Sequence, residues 1–236
     1  MPRILLIETT GQSCSVALTG GEKIISLREN SEGMSHATLL TVFIEEIFRE
    51  QGITGSQLDA VAVSMGPGSY TGIRIGVAAA KGICYATGKP LIAINSLQAM
   101  SWGIQEELVN SKNPLANDPG TLFCPMVDAR RMEVYLSLLN QQHEFVSEIQ
   151  ALILHGELYA NELREHQIVF FGSGSGKALS LIQSPAAHFV SGFLNRATHL
   201  LSPALKAYRE SRFEDTAYFE PFYLKDFVAT VPKKKV

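Results

Sequence analysis

Carboxylates that end apolar runs, glycine-rich turns and scattered histidines are the groups here that could do chemistry, and their spacing limits which chemistry is open. Glu8 closes one apolar run and is followed by Thr9, Thr10 and Gly11. Asp128 closes another and is followed by Ala129, Arg130 and Arg131. Two glycine-rich segments, Gly66-Pro67-Gly68-Ser69 and Gly172-Ser173-Gly174-Ser175-Gly176, each follow a further β-rich run. Glycine lets backbone N–H groups approach an anion closely, so Thr9, Thr10, Gly11, Gly172, Ser173 and Gly174 could cradle a phosphate. The alternative is that these are ordinary turns that need positive φ.

Familiar motifs fail on inspection. A GxxxxGK[ST] phosphate loop ending at Gly176-Lys177 would need glycine at Phe171 and a hydroxyl at Ala178. A GxGxxG dinucleotide fingerprint meets Thr71 or Lys177 where its third glycine belongs. A GxSxG nucleophile elbow starting at Gly11 fails at Ser15. His36, His143, His155, His166, His188 and His199 are too far apart for the paired spacing of an HExxH helix. Cys14, Cys84 and Cys124 form no CxxC pair, which leaves reduced thiols of a cytosolic protein.

The bulk properties fit a folded chain. It has 236 residues, 46% hydrophobic and 18% charged, enough for one large or two small domains. A net charge of −3 and no basic stripe along the chain argue against a protein that grips RNA alone. Lys233, Lys234 and Lys235 cluster at the end and read as a solvated tail. Ile4–Ile7 is too short for a signal-peptide core, and Arg74 and Lys81 interrupt the apolar stretch around them, so a cytoplasmic protein with no membrane contact is expected.

The elements that must position these turns fall into two similar halves. Arg3–Glu8, Cys14–Thr19 and Ile24–Glu29 read as an antiparallel meander. Leu39, Leu40, Phe43, Ile44, Ile47 and Phe48 then keep helical spacing, with Ser35 as a cap. Asp59–Met65 and Leu91–Asn95 read as strands around a helix at Thr71–Thr87. After a linker at Asn110–Gly120, strands are expected at Leu122–Asp128, Glu133–Leu139 and Glu144–Ile149. A helix at Glu157–His166, a strand at Ile168–Phe171, a helix at Lys177–Ile182 and a strand at His188–Val190 follow, with a closing helix at Asn195–Glu210. Each half is βββαβαβ, an α/β arrangement of two ribonuclease-H-like lobes similar to the actin, sugar-kinase and heat-shock-chaperone superfamily. The lobes are expected at 1–105 and 106–236.

The segment from Gly66 through Gly68-Ser69-Tyr70-Thr71-Gly72 to Lys81-Gly82 closely resembles the signature of the TsaB (YeaZ) family, GPGSFTGLRIGVATAKG. Ile4–Thr10 with Ser15–Leu18, Val127–Arg130 with Glu133-Val134-Tyr135, and Pro221–Lys225 resemble three further family segments in the expected order. The resemblance spans nearly the whole chain. It implies a non-catalytic subunit that supports a TsaD-like catalytic subunit, with a TsaE-like ATPase, in transferring a threonylcarbamoyl group to the adenosine beside the anticodon of tRNA. It implies contact with tRNA through the complex, a homodimer when the chain is alone, and no cofactor of its own, ATP and a metal acting through the partners. TsaD-like proteins hold a metal with an HxxxH pair; here His36 is followed by Leu40 in the second place, so that site cannot form. Glu8 stands where the family has Asp, which speaks against a magnesium-nucleotide site.

The residues also suggest where a partner would sit. Gly72, Gly76 and Ala80 share one helix face, and with Ala79 and Gly82 they leave it bare, so another backbone could come close. Leu39, Phe43 and Ile47 form a column on the preceding helix. By residues alone, both helices read first as covers for their own sheet; the resemblance reverses this and assigns Leu39, Phe43, Ile47, Gly72, Gly76, Ala79 and Ala80 to a shared face. Tyr218, Phe219, Phe222, Tyr223 and Phe227 suggest an extended tail docked on its own surface or a partner's. A stand-alone ATP-dependent kinase or a peptidase is the competing class.

Overall fold

The computed structural model describes residues 1–32, 36–156 and 158–225; Ser35, Glu157, Phe227 and the three terminal lysines lie outside them. Each half builds one five-stranded mixed sheet. In the first, β1 (Ile4–Glu8), β2 (Cys14–Gly20), β3 (Lys23–Asn30), β4 (Ala60–Gly66) and β5 (Leu91–Asn95) lie in the order β3-β2-β1-β4-β5. In the second, β6 (Thr121–Asp128), β7 (Glu133–Leu136), β8 (Gln150–Ile153), β9 (Gln167–Phe171) and β10 (Ala187–Val190) repeat it as β8-β7-β6-β9-β10. Neighbours in each meander are antiparallel, and β1 with β4 and β6 with β9 are parallel. The two-lobed α/β expectation holds. β1 is buried at every position, as a central strand covered on both faces must be.

The helices differ between halves. α1 (His36–Gln51) and α2 (Tyr70–Thr87) lie where expected, the latter capped by Ser69 Oγ on Gly72 N–H and ended by left-handed Gly88. In the second half the expected helix at Glu157–His166 shrinks to the single turn α4 (Glu162–Glu165), because Tyr159 takes φ +55°. The helix expected at Lys177–Ile182 is a 3₁₀ turn, Ser175–Lys177, in a segment that Pro185 cuts short. The closing helix divides into a 3₁₀ turn, Ala197–Leu200, and α5 (Leu201–Arg209), since the Pro203 ring would clash with the carbonyl of His199 in a continuous helix. Glu144–Ile149 is not a strand. Ser147 Oγ takes the Leu138 N–H at 2.8 Å in place of a ladder carbonyl, β7 stops at Leu136, and pairing resumes at β8.

One helix had no counterpart in the sequence reading. α3 (Ser96–Asn110) starts where Asn95 Oδ1 accepts the Leu97 N–H at 2.9 Å, then leaves the first sheet. Its Leu97, Met100, Ile104 and Leu108 pack with Phe123, Val169 and Phe171 of the second sheet. α5 makes the return exchange, placing Ala204, Leu205 and Ala207 against Ile4, Leu6 and Ile92 of the first. Among the described residues no helix is long and apolar enough to cross a membrane.

Two histidines grip α3. His143 stacks on Trp102 with ring centroids 3.7 Å apart. Ser101 Oγ donates to Gln98 O (2.7 Å), so its lone pair meets His143 Nδ1 at 3.0 Å. The His199 ring lies over Gly103, where a Cβ would come within 2.6 Å of it, and stacks on Phe193.

The bare stripe of α2 faces inwards. A Cβ on Gly72 would overlap the Thr9 carbonyl oxygen, and one on Gly76 the Thr9 Oγ1. Thr9 Oγ1 donates to Gly72 O at 2.8 Å. Ala80 and Ile47 are fully buried in the same core. This corrects the expectation that Gly72, Gly76, Ala80 and Ile47 admit a partner: Gly72 and Gly76 admit the chain's own β1 turn, and Ala80 and Ile47 face its core.

Gly76→Ala is therefore expected to lower stability by about 1–3 kcal/mol through overpacking. Gly82→Ala, on the same helix with nothing within 4 Å of the new Cβ, should raise it by about 0.5–1 kcal/mol. Urea midpoints measure both. Burial, with Lys206 nearby for His143 and Arg196 for His199, holds each histidine at about 4. The unfolded chain thus binds more protons than the fold between pH 6.5 and 4, so the neutral histidines' contribution is complete above that window and fades as pH falls through it. From pH 7 to 5 each should cost roughly 1–2 kcal/mol, and His143→Gln should roughly halve the joint loss; an unchanged slope in that variant would exclude His143 as a titrating group.

Candidate functional site

The turn after β1 is closed on itself. Glu8 is buried, and both its oxygens are occupied: the Thr10 N–H donates to Oε1 at 2.6 Å, the Thr10 hydroxyl joins it, and Ser64 Oγ donates to Oε2. Burial pushes the carboxyl above its ordinary range, opposed by the donors from Ser64 and Thr10. Thr10 O accepts the Ser69 N–H at 2.7 Å, and a Cβ on Gly68 would strike Thr10. The Gly66–Ser69 loop therefore seals the Glu8 turn instead of opening towards solvent.

The matching turn of the second half is more open but also internally paired. Lys177 Nζ meets Asp128 Oδ1 at 2.7 Å and donates to Glu133 O at 3.0 Å. The Asp128 N–H donates to Ser173 Oγ, and the Arg130 N–H to Asp128 Oδ1. Between the halves lies a cleft of about 370 Å³. Gly11 lines it from one side and Gly172 and Ser173 from the other, with Gln12, Phe193 and Asn195. Thr9 and Thr10 are buried below it, and Gly174 packs against Val134 and Val127, so three of the six residues expected to cradle a ligand reach the cleft. No residue lining it carries a charged side chain. That suits a triphosphate with its magnesium poorly.

The first helix bears on metal binding. His36 Nε2 lies 3.2 Å from Ser13 O, and Leu40 points into the core, fully buried. Among the described residues no group of three or more His, Cys, Asp or Glu side chains is arranged to hold a metal ion. On the outer side of α1 and α2, Leu39, Phe43, Ile75, Ala79 and Ile83 are partly buried and Val42 is exposed. Leu39, Phe43 and Ala79 are thus the members of the expected partner face that remain at the surface.

The family model for TsaD, described as tRNA N6-adenosine threonylcarbamoyltransferase, matches residues 30–232. The chain belongs to this family. Within it, the relatives point to the TsaB (YeaZ) group. A protein from Haemophilus influenzae named "tRNA threonylcarbamoyladenosine biosynthesis protein TsaB" is 33% identical over 57% of this chain and 52% of its own length, so the chain spans about half of that relative. The Escherichia coli protein of the same name is 25% identical over 96% of each chain. The solved structure of YeaZ from Pseudomonas aeruginosa shares the fold, with a TM-score of 0.78, 24% identity, and coverage of 95% of this chain and 100% of that one.

The family signature now has a place: it is the Gly66–Ser69 loop and α2, the segment whose glycines let Thr9 and Thr10 come close. Sequence reasoning singled out these glycines but missed Ser64, which bonds Glu8, and Asn195, which bonds Thr10. Asn195 Nδ2 reaches Thr10 Oγ1 at 3.2 Å from 185 residues away, and no local pattern signals such a contact. Because a glutamine oxygen can accept from Thr10 while its NH₂ donates to Ser64, Glu8→Gln should cost less than about 1 kcal/mol. Glu8→Ala, which orphans three buried donors, should cost about 2–3 kcal/mol. Thermal denaturation of the two variants checks the order, and equal losses would mean that the charge itself is needed.

Proposed function

We propose that this chain is a non-catalytic subunit of tRNA threonylcarbamoyladenosine biosynthesis that docks a TsaD-like catalytic subunit and acts with a TsaE-like ATPase in the cytoplasm. In this reading ATP and the metal act through the partners, tRNA is met in the assembled complex, and the free chain self-associates through the same face. The observation that carries it is the state of Glu8. The carboxylate where a nucleotide-using relative would place a metal-facing Asp is sealed beneath the Gly66–Ser69 loop, with its oxygens taken by Thr10 and Ser64. The uncharged cleft and the core position of Leu40 support the same reading.

The docking face is the outer side of α1 and α2. We assign to it an apolar strip of Leu39, Phe43 and Ala79, each partly buried on the core that α1 and α2 share, with exposed Val42 beside Phe43 in the chain. A carboxylate set into such a strip would be desolvated without a partner when the subunits meet. Phe43→Asp and Ala79→Asp are each expected to weaken co-purification with the TsaD-like subunit by at least about tenfold, with the circular dichroism melt of the free chain little changed. Wild-type recovery of both variants would remove this face from the interface. Threonylcarbamoyl transfer by the isolated chain would end the non-catalytic reading.

A further inference from the structure

Arg74, Arg130 and Arg131 are exposed, and among the described residues none of them has a carboxylate within ion-pair distance. They are far apart in sequence and joined in space by a short chain of contacts. Arg74 lies over the Tyr70 ring, 4.3 Å from its centroid, and its Nε donates to Tyr223 Oη at 3.2 Å. The Tyr70 and Tyr223 rings are 5.1 Å apart. Two residues after Tyr223, Lys225 pairs with Glu133, whose N–H donates to the carbonyl of Arg130 at 3.1 Å. Tyr135 joins Tyr70 and Tyr223 around one small recess. The nearby acids Asp128 and Glu133 are already matched by Lys177 and Lys225. A protein of net charge −3 thus carries a surplus of three positive charges beside a group of tyrosines.

We infer that this patch is a contact surface for single-stranded RNA, in the present reading an unpaired loop of the tRNA. The inference rests on the proposed function for the identity of the RNA. Guanidinium groups with no carboxylate to neutralise them keep their charge available to phosphates. The exposed Tyr223 ring and the arginine beside it can stack on unpaired bases, which a duplex keeps hidden. Arg130 and Arg131 both sit at positive φ in the tight turn after β6, and both are exposed. The patch adjoins α2 through Arg74 but shares no residue with the Leu39, Phe43 and Ala79 strip, so RNA and the catalytic subunit would bind side by side.

The test uses the full chain and a fluorescein-labelled RNA hairpin with an unpaired loop, read by fluorescence anisotropy. Three phosphate contacts predict a salt slope near −2, so affinity should fall about 15-fold from about 50 to about 200 mM salt. Arg130→Glu with Arg131→Glu should weaken binding at least about tenfold and flatten that slope. Tyr223→Phe should bind nearly as well as the native chain, while Tyr223→Ala should lose about fivefold or more with the slope unchanged. A blunt RNA duplex should compete at least about tenfold less well than the hairpin. Co-purification with the TsaD-like subunit is measured on the same variants. Lost RNA binding with retained co-purification supports the inference. No binding by the native chain, equal competition by the duplex, or arginine variants that bind RNA normally but lose the protein partner each overturn it. If the native chain fails to co-purify, the docking reading falls, and the RNA measurements still decide this one.

Discussion

The approach of the Thr9–Thr10 turn to the bare face of α2 governs the first half of the molecule. The Thr10 carbonyl lies against Gly68, the Thr9 carbonyl against Gly72 and the Thr9 hydroxyl against Gly76, each closer than a Cβ on the glycine would allow. Helical glycines cost about 1 kcal/mol each relative to alanine, and the gain that offsets this is local. Thr9 is bonded to the helix carbonyl at Gly72, the Ser69 N–H is satisfied by Thr10, and Glu8 is enclosed with three donors. A buried carboxylate is tolerable only when hydrogen-bonded on all sides. The turn, the helix and the Ser64 strand therefore hold one another in position, and a change in any one exposes a polar group the others were built to satisfy.

The same enclosure shapes the chemistry. In a two-lobed fold of this kind, the turns after β1 and β6 face each other across a cleft, where a nucleotide-using protein would place its carboxylates. Here one carboxylate is sealed below the cleft and the other is paired with Lys177. Outward, the proposed docking face on α1 and α2 and the proposed arginine–tyrosine surface include neither carboxylate.

The exchange of helices ties the halves together. α3 belongs to the first half by sequence and to the second by packing, and α5 does the reverse. His143 and His199 hold α3 from two sides, both uncharged by burial. Of this arrangement, the apolar spacing of Leu97, Met100, Ile104 and Leu108 was legible as a helix face. Which sheet that face covers was not legible, since an apolar stripe is satisfied by either.

By itself the sequence determined nine of the ten strands among the described residues, missing only β8, together with the places of α1 and α2, the glycines that had to stay bare, and the family. Each of these rests on local periodicity, steric permission at single positions, or a long unbroken motif. Tertiary structure alone decided that the glycine stripe looks inward, that Glu8 is sealed by Ser64, that Asn195 bridges to Thr10, and that Arg74 joins Arg130 and Arg131 in one patch. The physical reason is common to all four. Spacing along a helix says which residues share a side but not what that side meets, and hydrogen bonds between groups as much as 185 residues apart leave no periodic trace in the chain.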